Sequence, residues 1–154
     1  MMNRHIRPKA VLVDMDGTLV DVRSILHYVE RPSAEKDFDS FHRESLSCPA
    51  NQQALDFCVR HHELGHVIVV ATARAQQHEE VSRLWLDRHM VTPFDGPIMV
   101  REPGERISDV AIKRRMYRYL VRNYQFVAAI DDNPPIINLW KEEIGIPEVE
   151  VVPR

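Results

Sequence analysis

The sequence predicts an α/β fold built on a parallel sheet of about five strands. Three observations carry this reading. Short β-branched runs without polar alternation, such as Ala10-Val11-Leu12-Val13, Val67-Ile68-Val69-Val70-Ala71 and Phe126-Val127-Ala128-Ala129-Ile130, read as strands buried on both faces. Segments with apolar residues at helical spacing separate them. Polar groups suited to chemistry cluster at the C-terminal ends of the runs, where parallel α/β sheets place ligands.

The 154 residues fit one domain, 1–154, long enough to bury a core without disulfides. A net charge of -3 offers no global attraction to nucleic acid, so any such contact needs a local basic patch. The only cysteines, Cys48 and Cys58, form no framework and no Cys-x-x-Cys site, which makes a reducing cytoplasm the simplest compartment. The N-terminal residues 1–9 are basic and polar. The apolar run after them is too short for a signal-peptide core or a membrane span.

The first strand ends in Asp14-Met15-Asp16-Gly17-Thr18. Residues i and i+2 share a face of an extended strand, and Gly17 allows the turn that follows, so both carboxylates can face one pocket. Two acids so close repel unless a proton or a cation offsets them, which points to a divalent metal. Residues 19–47 keep no clean periodicity and read as a loop with short helices over the pocket mouth, too short for a full lid domain. Arg23 stands out in it.

Pro49 suits a helix first turn, and residues 50–64 carry helix-spaced apolar groups before Gly65. His61, His62 and His66 at its end fit favourable charge at a helix C-terminus better than a metal site. The second strand ends in Thr72-Ala73-Arg74, where a hydroxyl beside free N-H groups can hold a phosphate oxygen. Arg74 can reach a second phosphate or pair with a carboxylate. Residues 79–90 form a helix with Trp85 in the core, 94–97 a turn, 98–100 a short third strand and 101–106 a charged loop.

Ser108 or Asp109 can cap a helix running to about residue 124. Asp109 and Lys113 lie at i and i+4 and can pair; Arg114, Arg115, Arg118 and Arg122 form a basic stripe, either a solvated face or a phosphate-backbone track. The fourth strand ends in Asp131-Asp132-Asn133-Pro134, which opens a last helix closed by Gly145 and Pro147; residues 149–152 can add a fifth strand.

Four of these stretches resemble, in order, the motifs of the haloacid dehalogenase (HAD) superfamily: Asp-x-Asp-Gly-Thr after an apolar strand, a strand ending in Thr72, Lys113 early in a helix after the third strand, and the acids Asp131 and Asp132 at a strand tip. The resemblance implies a HAD-like Rossmannoid three-layer fold with helices on both faces of the sheet and a minimal cap over 19–47. It implies Asp14 as nucleophile, Asp16 as acid and then base, and Thr72 and Lys113 on the phosphoryl oxygens. Oxygen ligands suit Mg²⁺, held by Asp14, the Asp16 carbonyl, and Asp131 or Asp132.

Within the superfamily the chain is most similar to the 3'-phosphatase domain of phage-type polynucleotide kinase/phosphatase. Arg23 after the first motif, Arg74 after Thr72, and Met-Val-Arg-Glu-Pro-Gly-Glu-Arg-Ile-Ser-Asp-Val-Ala-Ile-Lys over 99–113 carry that likeness. It implies that Arg23, Arg74, Arg101 and Asp109 bind substrate, a 3'-phosphorylated or 2',3'-cyclic DNA or RNA end. Arg23 departs from the family spacing. No Gly-x-x-x-x-Gly-Lys loop is present, so no 5'-kinase activity is expected from these residues, and a separate kinase or ligase is a candidate partner. The competing expectations are a small-molecule phosphatase such as a nucleotidase and a non-catalytic nucleic-acid-binding module. No membrane partner is expected.

Overall fold

A computed structural model describes residues 6–154; the start of the basic N-terminal segment lies outside them. Five parallel strands stand in the order β3-β2-β1-β4-β5. In chain order the elements are β1 (Lys9–Val13), α1 (Phe38–Glu44), α2 (Gln52–Glu63), β2 (Val67–Ala71), α3 (Glu79–His89), β3 (Asp95–Ile98), α4 (Asp109–Leu120), β4 (Gln125–Asp131), α5 (Pro134–Asn138) and β5 (Glu148–Val151). β1 is central, paired with β2 on one side and β4 on the other. Strand order reverses between β1 and β4, so the tips of these two strands frame the crevice where a doubly wound sheet takes its ligand.

Alternation along β1 sorts the core into two layers. Val11 and Val13 pack with Phe57 and Cys58 of α2 and with Trp85 and Leu86 of α3. Ala10 and Leu12 face the other way, against Ile112 and Met116 of α4 and Ile136, Leu139 and Trp140. Successive strand side chains point to opposite faces, so a strand apolar at every position must be covered twice. Trp85 is fully buried, and its indole N-H donates to the Cys48 carbonyl at 3.0 Å. Trp85→Ala would cost about 3–5 kcal/mol. Cys48 and Cys58 are buried free thiols, and burial pushes the Cys58 thiol up to about 12.

Several boundaries differ from the sequence reading. The third strand is Asp95–Ile98, three residues earlier than 98–100, and it includes the Gly96-Pro97 pair read as a turn. β3 is an edge strand, where a proline costs no ladder hydrogen bond on its open side. Gly96 lies so close to β2 that a Cβ there would sit 2.6 Å from the Val70 carbonyl oxygen. Asn51, whose side chain accepts from the Gln53 N-H, caps α2, so Pro49 precedes the helix. Ser108 caps α4 by accepting from the Ala111 N-H. That helix stops at Leu120, short of residue 124. α5 continues through a wider turn, Leu139–Ile144, and closes at Gly145 with φ +80°. Residues 19–47 hold 3-10 turns (Arg23–Tyr28, Ser33–Glu35, Ser45–Ser47) and α1, which lie over the strand tips.

Candidate active site

An open trench of about 1770 Å³ runs across the C-terminal ends of β1, β2 and β4, and all ten candidate residues line it. The turn after β1 places its first two. Asp14 and Asp16 face the trench while Met15 between them is fully buried, and Gly17 bends the chain at φ +81°. A Cβ at Gly17 would stand 2.2 Å from Asp132 Oδ2, so only glycine lets the β1 turn sit against the β4 tip.

The two carboxylates occupy opposite environments. Asp14 shares its corner with Asp131 and Asp132; one oxygen from each of the three lies within 4.8 Å of the others. Burial, then the Asp131 charge, push the Asp14 carboxyl well above its usual range, and the Lys113 ammonium only partly offsets them. Lys113, itself buried, donates to Asp14 Oδ1 at 3.0 Å and to the Ala71 carbonyl at 2.7 Å, with Asp131 Oδ2 at 3.8 Å. Burial acts to lower the Lys113 pKa, but Asp14 and Asp131 raise it further, so the ammonium stays charged.

Asp16 is instead saturated. Arg74 grips it with Nε at 3.0 Å and Nη2 at 2.6 Å. The guanidinium is fixed in turn by Ser82 Oγ at 2.9 Å and Ser45 Oγ at 3.1 Å. Burial works to raise the Asp16 carboxyl, but the charge and hydrogen bonds of Arg74 outweigh it and hold it below the usual range. His42 Nδ1 stands 3.9 Å from Asp16 Oδ2; burial pushes that imidazole down to about 3.

The acidic corner fits a hard divalent cation. Asp131 Oδ1 accepts the Asp132 and Asn133 N-H groups, whereas its buried Oδ2 has no hydrogen-bond partner. An unpartnered buried oxygen beside two further carboxylates is the donor set such ions take. Asp132 Oδ1 accepts from Thr18 Oγ1 at 3.3 Å, and its Oδ2 from Arg154 Nε at 3.1 Å.

The remaining candidates are placed differently from one another. Thr72 is buried at the β2 tip, its Oγ1 accepting the Arg74 N-H at 3.2 Å, which leaves the hydroxyl proton free. Asp109 does not pair with Lys113. It meets Arg101 Nη2 at 2.8 Å, because Arg101 holds the 101–107 loop through the Ala73, Glu105 and Ile107 carbonyls. Arg23 lies on the rim, largely exposed, clasped to Asp21 at 2.6 and 2.9 Å. On the basic stripe, Arg114 pairs with Glu143 and Arg115 with Glu105, so half of it is neutralised. His61 and His66 meet through their Nδ1 atoms at 3.0 Å, away from the trench.

Sequence reasoning gave no role to Thr18, Ser45, His42, Ser82 or Arg154. Thr18 belongs to the Asp-x-Asp-Gly-Thr stretch, where a hydroxyl four residues after Asp14 can return to it and does so at 3.0 Å. Ser45 and Ser82 carry no sequence signal, since they meet Arg74 only through the tertiary fold.

A comparison with protein families decides what this arrangement belongs to. Residues 8–153 match the model of the polynucleotide kinase PNKP phosphatase domain. The chain belongs to that family. It is an enzyme of the HAD phosphatase class, a phosphoric monoester hydrolase. No curated protein matches the sequence. Among solved structures, a Pnkp1/Rnl/Hen1 complex is similar with a TM-score of 0.77 at 20% identity, over 94% of this chain and 46% of that one. The Pnkp1/Rnl/Hen1 RNA repair complex follows with 0.75 and 19%, over 94% and 42%. The class C acid phosphatase of Bacillus anthracis with tungstate bound gives 0.65 and 14%, over 96% and 68%. The phosphatase chain thus spans under half the length of the first two, and at these identities they establish the fold alone. No helix among its described residues is long and apolar enough to cross a membrane.

Proposed function

We propose that this phosphatase removes the 3'-phosphate from DNA or RNA ends, and opens 2',3'-cyclic ends, with Mg²⁺ in the acidic corner. The observation that carries the reading is the convergence of Asp14, Asp16, Thr72 and Lys113 beside a corner of three carboxylates at the floor of an open trench. Asp14 attacks the phosphorus and forms an aspartyl-phosphate as the P–O3' bond breaks. Asp16 gives a proton to O3' from its protonated form; the carboxylate so formed, which Arg74 favours, takes a proton from the water that hydrolyses the acyl phosphate, releasing inorganic phosphate, restoring Asp14 and re-forming the acid for the next turnover. Thr72 and Lys113 hold the equatorial oxygens where charge spreads in the transition state. Asp14, Asp131 and Asp132, with the Asp16 carbonyl, would hold the metal, which when bound neutralises phosphate charge beside the nucleophile.

Substrate choice rests on the cover and the rim. Residues 19–47 form a minimal cap, and a trench without a large lid admits the end of a polymer. Of Arg23, Arg74, Arg101 and Asp109, Arg23 faces the substrate from the rim, Arg74 acts by holding Asp16, and Arg101 acts by holding the loop and Asp109. Since the similar complexes combine several components, a separate kinase or ligase is the partner this domain would work beside.

The test is phosphate release with Mg²⁺ from a 3'-phosphorylated oligonucleotide, its 5'-phosphorylated isomer and a nucleoside monophosphate. Preference for the 3' end is the expected result. Preference for the monophosphate would leave the chemistry standing and make the domain a nucleotidase.

A further inference from the structure

We propose that Phe38 is the stacking platform for the nucleobase of the 3'-terminal nucleotide, in line with His42 beneath it. The inference rests on the polynucleotide-end reading above and names the part of the trench that reads the nucleoside.

Phe38 opens α1 and is 51% exposed. Tyr119 is exposed as well but lies outside the trench, whereas Phe38 lines it together with Asp14 and Asp16. Its ring stacks on His42 at 6.2 Å between centroids and 25° between planes. His42 is buried and held from two further sides, edge-on by Phe41 at 5.2 Å and by His78 at 4.4 Å. The half of Phe38 that faces inward is therefore backed by packed rings, and the other half is open to solvent.

The direction of this column matters more than its composition. Its inner end is His42 Nδ1, 3.9 Å from Asp16 Oδ2. Asp16 is the group placed at the leaving O3', and O3' belongs to the sugar that carries the terminal base. A nucleoside leaving the floor along the rings meets Phe38 one ring further out. Charged groups at the floor suit the phosphate; a base needs a π-face, and any of the four bases has one. A solvated aromatic costs free energy in the empty enzyme, and a stacked base recovers it.

The test compares two 3'-phosphorylated oligonucleotides, one ending in a normal nucleotide and one in an abasic tetrahydrofuran residue, by kcat/KM on wild type, Phe38→Ala and Phe38→Trp. Wild type is expected to favour the base-bearing end. Phe38→Ala should reduce that preference about tenfold, within the range measured for one base–aromatic stack, and mainly through KM. Phe38→Trp should keep it, which a merely structural role for Phe38 would not require. An unchanged preference in Phe38→Ala, or a loss in Phe38→Trp equal to that in Phe38→Ala, would overturn the proposal. Should wild type release no phosphate from either oligonucleotide while hydrolysing a nucleoside monophosphate, the polynucleotide reading fails first and this one with it.

Discussion

Asp14 and Asp16 lie two residues apart on one turn, yet their surroundings push their titration in opposite directions. The Asp14 corner holds three carboxylates against Lys113, with Arg154 on the outer oxygen of Asp132, and leaves Asp131 Oδ2 without a hydrogen-bond partner. The Asp16 corner holds one carboxylate inside a guanidinium clamp whose own donors end on Ser45 and Ser82. One side is frustrated until a cation and a phosphate arrive; the other is satisfied beforehand. Burial and the neighbouring carboxylates favour a protonated Asp14, so the nucleophile proposed above would need a cation in its corner to ionise it, whereas Arg74 already favours the ionised Asp16 that the second, base-catalysed step would use.

Asp14→Asn breaks the frustrated side and carries the largest expected effect. Turnover should fall by at least about 10⁴-fold, as when a nucleophile is removed. Stability should move the other way. Because the folded Asp14 carboxyl is raised above its unfolded value, the metal-free fold binds a proton that the unfolded chain has released, so stability rises as pH falls through the folded value. A neutral amide mimics that protonated state at neutral pH. Thermal unfolding without metal should show a Tm about 2–4 °C above wild type.

Arg74→Ala breaks the satisfied side. It leaves a partly buried carboxylate unpaired, a loss of about 3 kcal/mol in denaturant unfolding. The sign with pH is again opposite to that of Asp14. The lowered Asp16 value contributes stability above the unfolded carboxyl range, and this is lost as pH falls through the folded value; Arg74→Ala should lack that acid-side dependence. Without the guanidinium the Asp16 pKa rises, so the alkaline limb of kcat/KM should move up by about 1–3 pH units.

Gly17→Ala sharpens the comparison by disturbing only the metal corner. The Cβ must displace Asp132 and strain a φ of +81°. The Mg²⁺ concentration for half-maximal activity should rise about 10-fold or more, with the pH limb of Asp16 unmoved. The smallest effect is expected of Arg23→Ala. Its side chain is 86% exposed and already paired to Asp21, so KM for a 3'-phosphorylated end should rise about threefold with kcat unchanged.

Much of the floor was legible in the sequence because its residues sit at strand tips and helix starts, and buried parallel strands announce their ends. Asp14, Thr72, Lys113 and Asp131 each follow or face such a tip, so knowing the strands located the site. The third strand was misplaced because an edge strand tolerates the Gly96-Pro97 pair that elsewhere marks a turn. The contacts of Arg74 and Asp109 were open because a long charged side chain chooses among partners that only the fold assembles. Arg74 took Asp16 over a free position, and Asp109 took Arg101 over its helical neighbour Lys113. Residues 19–47 were legible as short helices over the pocket mouth, but their contacts were not, for the same reason: the stretch has no period, and Phe38, His42 and Ser45 gain meaning only from the turn of β1 beneath them.

The division of labour between the two carboxylates is tested most directly by trapping the phosphorylated enzyme. Asp16→Asn would be mixed with Mg²⁺ and p-nitrophenyl phosphate, whose leaving group needs little help from an acid, quenched in acid, and digested for peptide mass analysis. One phosphoryl group is expected on the peptide containing Asp14, formed quickly and hydrolysed slowly for want of the Asp16 base, and none in Asp14→Asn. A burst of p-nitrophenol with no phosphorylated Asp14, or a label that persists in Asp14→Asn, would contradict this division.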